Sequence, residues 1–236
     1  MLEVCHVNIE LDRRKLLLVG AASAALLLPG CASMGGFSLT EAIRRLLSLA
    51  SQNAFAMLLV PGGFYDSNVA RIELPERFGG GGGGGAASGV LSAILQSGAF
   101  RERLQRQLNR AAEKGAERAA PLVADAVRNV SIQDAAALVR GGPQAATEFL
   151  RGNMGPALVD AMLPGISDGL RLFDDKIISR AVQSVSGFDI GSLAADLNAR
   201  AENAIWSAIG YEEAAIRANP QKTGDPVLMS VFGLLK

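Results

Sequence analysis

The sequence predicts an all-α protein, a single compact multi-helix domain with one extended loop and a flexible poly-glycine link. Apolar residues recur at helical spacing through most of the chain beyond residue 38. Helix start and stop signals separate these stretches. The segment from Phe64 to Phe78 lacks a helical period, and seven consecutive glycines follow it at 79–85. These observations favour helices packed around one core.

The first thirty residues have the order of charges and apolar residues typical of an export signal. A basic stretch at 13–15 precedes a mostly apolar run at 16–28, which is shorter than the ~20 residues needed to span a bilayer. Leu28-Pro29-Gly30-Cys31 resembles the lipobox of bacterial lipoproteins, from which Pro29 departs. We therefore predict a lipoprotein-type signal peptide over 1–30, with an ordinary buried N-terminal helix as the alternative. Residues 12–17 also resemble a twin-arginine signal, so the route of export stays open.

Cys31 is the predicted site of lipid attachment, through which the membrane becomes one partner of the chain. More than one acyl chain gives lasting anchorage, since each buried methylene contributes ~0.8 kcal/mol. Ala32 follows where an aspartate would mark retention in the inner membrane, so the resemblance implies the periplasmic face of the bacterial outer membrane. The predicted domains are thus the signal peptide, a lipidated tether at 31–37 and a helical domain at 38–236.

Removal of the signal peptide would take away Cys5 and the only histidine, His6. The mature chain would then have no imidazole, and its one thiol would be acylated. This excludes Ser/His and Cys/His catalysis and zinc sites with those ligands, so we predict no catalytic residue, no metal and no cofactor. The chain has 23 basic and 23 acidic residues, and this balance predicts no nucleic-acid partner.

The helical domain begins with a capping box, Ser38-Leu39-Thr40-Glu41, and a long amphipathic helix that is expected to end at Pro61. The extended loop follows from Phe64 to Phe78. The glycines at 79–85 predict a disordered link and not a phosphate-binding loop, because no strand precedes them and no Lys-Ser/Thr follows.

Between Leu108 and Met154, capping residues and prolines predict four short helices. Pro121, Ser131 and Pro143 are expected to start the second, third and fourth of them. The first continues an amphipathic stretch that begins near Phe100. Its predicted buried face consists of Leu104, Leu108, Ala111 and Gly115.

The C-terminal part continues as helices separated by proline and glycine. Pro156 predicts a helix start and Pro164-Gly165 a break. A longer helix is expected after Asp189, with Gly210 interrupting it. Asp225-Pro226 predicts the cap of a final short helix.

Several stretches together resemble the bacterial domain-of-unknown-function family 4197. They include GGFYDSNVARIELPERF, LNRAAEKGAERAAP, SIQDAAALVRGGPQAATEFLR and GYEEAAIRANPQKT, in the same order over about residues 38–233. The glycine run and Gly224-Asp225-Pro226 depart from the pattern of that family. The resemblance implies an all-helical exported protein, commonly a lipoprotein, with no established activity.

One pattern has the letters of a catalytic motif, and a few acidic residues are candidates for catalysis or cation binding. Gly165-Ile166-Ser167-Asp168-Gly169 matches a nucleophile elbow, which requires a strand before it and a histidine base. The flanks here are predicted to be helical, so we interpret it as a helix break capped by Ser167 or Asp168. The remaining candidates for acid–base chemistry or for binding a hard cation are the pairs Asp174-Asp175 and Glu212-Glu213, with Glu113 and Asp66. We interpret the pairs as solvated, because adjacent carboxylates point apart on a helix.

Polar residues of the extended loop and of the central helix form a candidate binding groove. If the loop folds over the helix, these side chains would line one surface for a ligand or partner. The structural alternative is that Arg71 or Arg110 pairs with Glu113 and fixes the loop in place. The candidate residues are Tyr65, Asp66, Asn68, Arg71, Asn109, Arg110 and Glu113.

Three functions remain open, in descending order. The first is a tethered helical module that binds or scaffolds an unknown envelope protein. The second is a carrier or sensor of an apolar ligand, which requires a cavity between helices. The third is a carboxylate-based hydrolase, which requires a cleft with paired carboxylates ~5–9.5 Å apart. An enzyme is therefore the least favoured of the three classes.

Overall fold

A computed structural model of the chain describes residues 33–34, 37–74, 97–171 and 190–234. Contacts divide the chain into two units, 1–31 and 32–236, and every described residue belongs to the second. Several predictions concern residues outside the described ranges. These are the signal peptide, the lipid-attachment residue Cys31, the glycine link at 79–85, the Asp189 cap and the pair Asp174-Asp175.

The described part of the chain is all-α, which confirms the predicted fold class. Two short strands, β1 at Ser33–Met34 and β2 at Phe37–Ser38, pair antiparallel immediately before the first helix. A 3₁₀ helix at Pro220–Thr223 precedes the last helix. The α-helices are α1 Leu39–Leu58, α2 Gly63–Asp66, α3 Gly98–Asn129, α4 Ala135–Arg140, α5 Ala145–Met154, α6 Ala157–Gly169, α7 Ile190–Ala218 and α8 Pro226–Phe232.

Four helices enclose the core, because α1 packs on α3 and α7, and α6 packs on the same two helices from the other side. The shorter helices cover this bundle: α2 lies on α3, α5 lies on α7, and α4 and α8 lie on α1. Removal of the apolar side chains from water is the main force that holds such a bundle together. The largest fully buried side chains include Ile43, Leu47, Phe64, Leu108, Met162 and Leu193.

Helix α1 begins as predicted, since the Ser38 hydroxyl accepts a hydrogen bond from the backbone N–H of Glu41 at 3.1 Å. The Asp225 carboxylate likewise caps α8, accepting from the backbone N–H groups of Val227 at 2.8 Å and Leu228 at 3.2 Å. Asp225 also binds Arg45 of α1 at 3.0 Å. Burial raises the pKa of Asp225, but the hydrogen bonds from Arg45 and the two N–H groups outweigh it and leave the pKa lowered.

The prediction of four short helices between Leu108 and Met154 is wrong in its first boundary. Pro121 lies inside α3, which runs without interruption from Gly98 to Asn129. Pro121 is exposed, whereas the buried stripe continues on the opposite side through Ala119, Val123 and Val127. Burial of that stripe outweighs the one backbone hydrogen bond that proline removes.

Three further boundaries differ from the predictions. Pro164-Gly165 lies inside α6, and Gly210 lies inside α7, so neither ends a helix. Helix α4 is capped by Asp134, whose carboxylate accepts from the N–H of Ala137 at 2.8 Å, and not by Ser131. The competing caps are three residues apart, and Asp134 stands directly before the helix.

The Gly165–Gly169 motif forms part of a close contact between α3 and α6, the most extensive helix pair in the described residues. A Cβ atom at Gly165 would lie 2.3 Å from the carbonyl oxygen of Lys114, and one at Gly169 would lie 2.5 Å from the Cα of Ala111. Only glycine permits this approach. The motif is therefore neither a nucleophile elbow nor a helix break. It is a site of direct backbone contact between α3 and α6, which we call the glycine seam.

Candidate functional site

The segment from Gly62 to Leu74 crosses α3, as the groove hypothesis requires. It begins at Gly62, whose φ of 85° turns the chain. Residues with a Cβ atom rarely adopt this backbone conformation. The single turn of α2 follows, with Phe64 fully buried in the core. Residues 67–74 then continue as turns and irregular backbone. The prediction of an extended loop from Phe64 onwards is therefore wrong for residues 64–66, which are helical.

Asn109 is one of the candidate groove residues, but its side chain is fully buried beneath this segment. Its Oδ1 accepts from the backbone N–H of Ile72 at 2.9 Å, and its Nδ2 donates to the Ile72 carbonyl at 2.9 Å and to the Gln105 carbonyl at 2.8 Å. The amide thus satisfies the buried backbone of the segment and is not accessible to a ligand.

Glu113 fixes the start of the same segment. Its Oε1 accepts from the backbone N–H of Gly62 at 3.0 Å. Burial raises the pKa of the Glu113 carboxyl, and it outweighs the hydrogen bonds from the N–H groups of Gly62 and Phe64 and the charge of Arg110, which lower it. No ion pair joins Glu113 to Arg71 or Arg110 in the described structure, so backbone hydrogen bonds take the role that the structural alternative gave to arginine.

Two guanidinium groups lie against the ring of Tyr65. The Arg71 carbon Cζ lies 4.1 Å from the centre of the ring, and the Arg106 Cζ lies 4.4 Å from it. Both distances are in the range of cation–π attraction. Arg106 is further held by Glu102 at 2.7 Å, and this hydrogen bond is the main cause of its raised pKa. We call Tyr65, Arg71 and Arg106 the Tyr65 cluster.

The remaining candidates lie on the exposed surface. Asp66 is close enough to Arg106 for its charge to contribute to the raised pKa of that guanidinium. Asn68 is exposed on the crossing segment, and Arg110 is exposed on α3. The structure therefore brings Tyr65, Asp66 and Arg71 together with Arg106, which the sequence reasoning did not include, and it separates them from the buried Asn109.

A second polar cluster lies elsewhere, and the sequence reasoning missed it. Glu213 of α7 is fully buried, so its interpretation as a solvated acid is wrong. Its carboxylate accepts from the backbone N–H groups of Ala146 at 3.0 Å and Thr147 at 2.7 Å, and from the Thr147 hydroxyl at 2.6 Å. These groups form the first turn of α5, where the helix dipole favours a negative charge.

Arg217, one turn farther along α7, completes this cluster. Its Nη2 lies 2.7 Å from Glu213, and its side chain is only 10% exposed. The same guanidinium donates to the carbonyl oxygens of Leu138 at 2.9 Å and Val139 at 3.1 Å, near the end of α4, and lies 4.9 Å from the Phe232 ring. One ion pair thus joins α4, α5, α7 and α8.

The spacing of apolar residues along α7 could have indicated that Glu213 is buried. Glu213 follows Ile205 and Ile209 at intervals of four and precedes Ile216 at an interval of three, so it falls on the buried stripe of α7. A carboxylate on such a stripe needs a buried partner, which Arg217 provides one turn away.

A groove of about 500 Å³ opens beside Arg217, between α4, α7 and α8. Its floor is mainly apolar. Among the described residues that line it there are two guanidinium groups and no carboxylate. The lining residues are Val139, Arg140, Gly141, Pro143, Ala214, Arg217, Ala218 and Phe232.

The described residues contain no group of three or more histidine, cysteine, aspartate or glutamate side chains placed to hold a metal ion. Among the described helices, none combines the length and the hydropathy required to cross a membrane. The described clusters consist of arginine, carboxylate, amide and aromatic side chains, which are suited to binding and to fixing the backbone.

Comparison with protein families finds a match over most of the chain. The model described as "Protein of unknown function (DUF4197)" matches residues 33–233, which is most of the chain. The chain belongs to the DUF4197 family. This confirms the resemblance that the sequence motifs indicated. No curated protein and no solved structure matches the chain. The DUF4197 description assigns no activity.

Proposed function

We propose that this DUF4197 protein is a lipid-anchored helical module of the bacterial envelope that binds a protein partner through the Tyr65 cluster. The observation that carries the proposal is the contact of the Tyr65 ring with Arg71 and Arg106, whose guanidinium carbons lie 4.1 and 4.4 Å from its centre. Tyrosine and arginine are enriched among residues that contribute most to protein–protein binding. A ring already held in place loses little conformational entropy when a partner binds.

Exposed apolar side chains on the crossing segment and just before it support this proposal. Leu59 is 37% exposed, Val60 is 52% exposed and Val69 is 37% exposed. Exposed apolar side chains within six residues of Tyr65 in the sequence, together with a tyrosine and two arginines, have the composition of an interface. Arg71 and Arg106 already have the intrachain partners Glu73 at 3.8 Å and Glu102 at 2.7 Å, so the expected partner offers mainly an apolar contact.

The proposal of a lipid anchor is based on the sequence that precedes the described residues. A basic and apolar run precedes Leu28-Pro29-Gly30-Cys31, which resembles a lipobox. The family match begins at residue 33, just beyond Cys31. Both are consistent with loss of 1–30 and with acylation of Cys31 at the periplasmic face of the outer membrane.

The partner proposal is tested by site-specific photo-crosslinking in intact cells. A photoreactive amino acid placed at the exposed Asn68 position should give a discrete adduct with a protein. Tyr65→Ala should reduce that adduct at least fivefold, because it removes the centre of the cluster. Tyr211→Ala is the matched control, since Tyr211 is 56% exposed on α7 and should leave the adduct unchanged. Absence of an adduct, or equal adducts in both variants, would contradict partner binding at this surface.

The anchor is tested separately. Cys31→Ser should prevent acylation, release the protein from the outer-membrane fraction and change its electrophoretic mobility. A Cys31→Ser protein that stays in that fraction with unchanged mobility would contradict the lipid anchor, whatever the result at Tyr65.

A further inference from the structure

The groove between α4, α7 and α8 lies on different elements from the Tyr65 cluster, and its chemistry points to a different ligand. We propose that it binds an anionic single-chain amphiphile, a molecule with one carboxylate and one acyl chain. Its volume of about 500 Å³ is in the range of small-molecule sites, ~300–1,000 Å³.

The charges of the groove favour an anion. Arg140 and Arg217 line it, and the described lining contains no acidic side chain. Arg217 is already neutralised by Glu213 at 2.7 Å. Arg140 is exposed at the end of α4 and has no ion pair in the described structure, so the unbalanced positive charge of the groove is that of Arg140.

Arg217 adds a directed hydrogen-bond donor. A guanidinium has five N–H groups, two of them on Nη1. Nε donates to Glu213, Nη2 donates to Leu138, and Nη1 makes one hydrogen bond, to the Val139 carbonyl at 3.1 Å. The second N–H of Nη1 has no acceptor in the described structure, and Arg217 lines the groove. A carboxylate bound by Arg140 can accept from it.

The rest of the lining suits an acyl chain. Val139, Pro143, Ala214, Ala218 and Phe232 contribute apolar surface. Each methylene that leaves water strengthens binding by about fourfold. The small side chains at 214 and 218, one turn apart on α7, leave the groove open along its length. A charged head near Arg140 and a chain over these residues would use both parts of the surface.

The test uses the full chain in isolated membranes of cells that express it. The probe is dodecanoate with a photoreactive diazirine at the end of its chain, and the comparison probe is dodecylamine with the same group. We expect saturable labelling by the dodecanoate probe, competed by unlabelled dodecanoate, and at least tenfold less labelling by the amine. Mass spectrometry should locate the adducts in 139–143, 214–218 or around Phe232.

Two variants and one control connect labelling to the groove. Ala218→Trp fills the groove from an exposed position and should abolish labelling. Arg140→Gln should weaken competition by dodecanoate about fivefold, as expected for one exposed ion pair. Arg103→Gln, which removes an exposed arginine on α3, should change nothing. Labelling that does not saturate, that is equal with the amine, or that persists in Ala218→Trp would overturn the proposal. None of these results depends on a partner at Tyr65.

Discussion

The side-chain amide of Asn109 pairs with the backbone of Ile72 as a neighbouring strand would. Its oxygen accepts from the Ile72 N–H and its nitrogen donates to the Ile72 carbonyl, both at 2.9 Å. One side chain on α3 therefore satisfies both polar groups of a buried residue on the crossing segment. This contact, together with the Glu113 bond to Gly62, holds the segment that presents Tyr65.

Replacement of Asn109 should destabilise the protein without direct loss of a binding group. Asn109→Leu leaves the N–H and C=O of Ile72 buried without partners, at a cost of about 2–4 kcal/mol in the free energy of unfolding. Urea unfolding of the purified chain measures this. Asn68→Leu, at an exposed position of the same segment, is the control and should change stability by less than about 0.5 kcal/mol. Equal effects of the two substitutions would contradict the structural role of Asn109.

Neighbouring glutamates on α7 should behave very differently. Glu213→Gln leaves the Arg217 charge without its buried partner, and the expected loss is about 3–5 kcal/mol. Glu212 is half-buried and accepts from Asn53 at 3.1 Å, so Glu212→Gln should cost under about 1 kcal/mol. Thermal unfolding followed by circular dichroism distinguishes them. A Glu213→Gln protein as stable as the wild type would show that the buried pair contributes no net stability.

Two glycine-to-alanine changes should have effects of opposite sign. At Gly165 the new Cβ would lie 2.3 Å from the Lys114 carbonyl, so α3 and α6 must separate and stability should fall by about 3 kcal/mol or more. At Gly152, inside α5, no atom other than the neighbouring backbone of the helix itself lies within 4 Å of the new Cβ, and the substitution should stabilise by about 0.5–1 kcal/mol. Melting temperatures of both variants test this. A Gly165→Ala protein with unchanged melting temperature would contradict the close contact.

The raised pKa of Glu113 predicts a pH dependence. The folded chain holds the Glu113 proton more tightly than the unfolded chain, whose value is near 4.5, so this group lowers stability as the pH rises above 4.5. Glu113→Gln removes the penalty and should gain stability relative to the wild type between pH 4.5 and 7. Urea midpoints at several pH values measure the difference. Glu148→Gln, at an exposed position of α5, should show no such gain, and a pH-independent difference for Glu113→Gln would contradict the effect of burial.

Periodicity and caps predicted the class of fold and several helix starts. The capping box at Ser38 and the Asp225 cap are both formed, and the stripe Leu104, Leu108, Ala111 and Gly115 is buried. These features are local, since each depends on residues within one or two turns. Local sequence is therefore sufficient to predict them.

The features that were predicted wrongly depend on tertiary packing and not on the local sequence. Pro121 and Pro164 are strong local stop signals, yet both lie on exposed sides of helices whose other side is buried. Asn109 and Glu213 are polar residues on largely apolar stripes, and their roles depend on backbone groups far away in sequence, at Ile72 and at Thr147. No local pattern specifies those partners.

The glycine seam between α3 and α6 also limits how this protein can move. Because the two backbones touch at Gly165 and again at Gly169, neither helix can roll or slide over the other without a steric clash. We therefore expect α3 and α6 to move together as one rigid body.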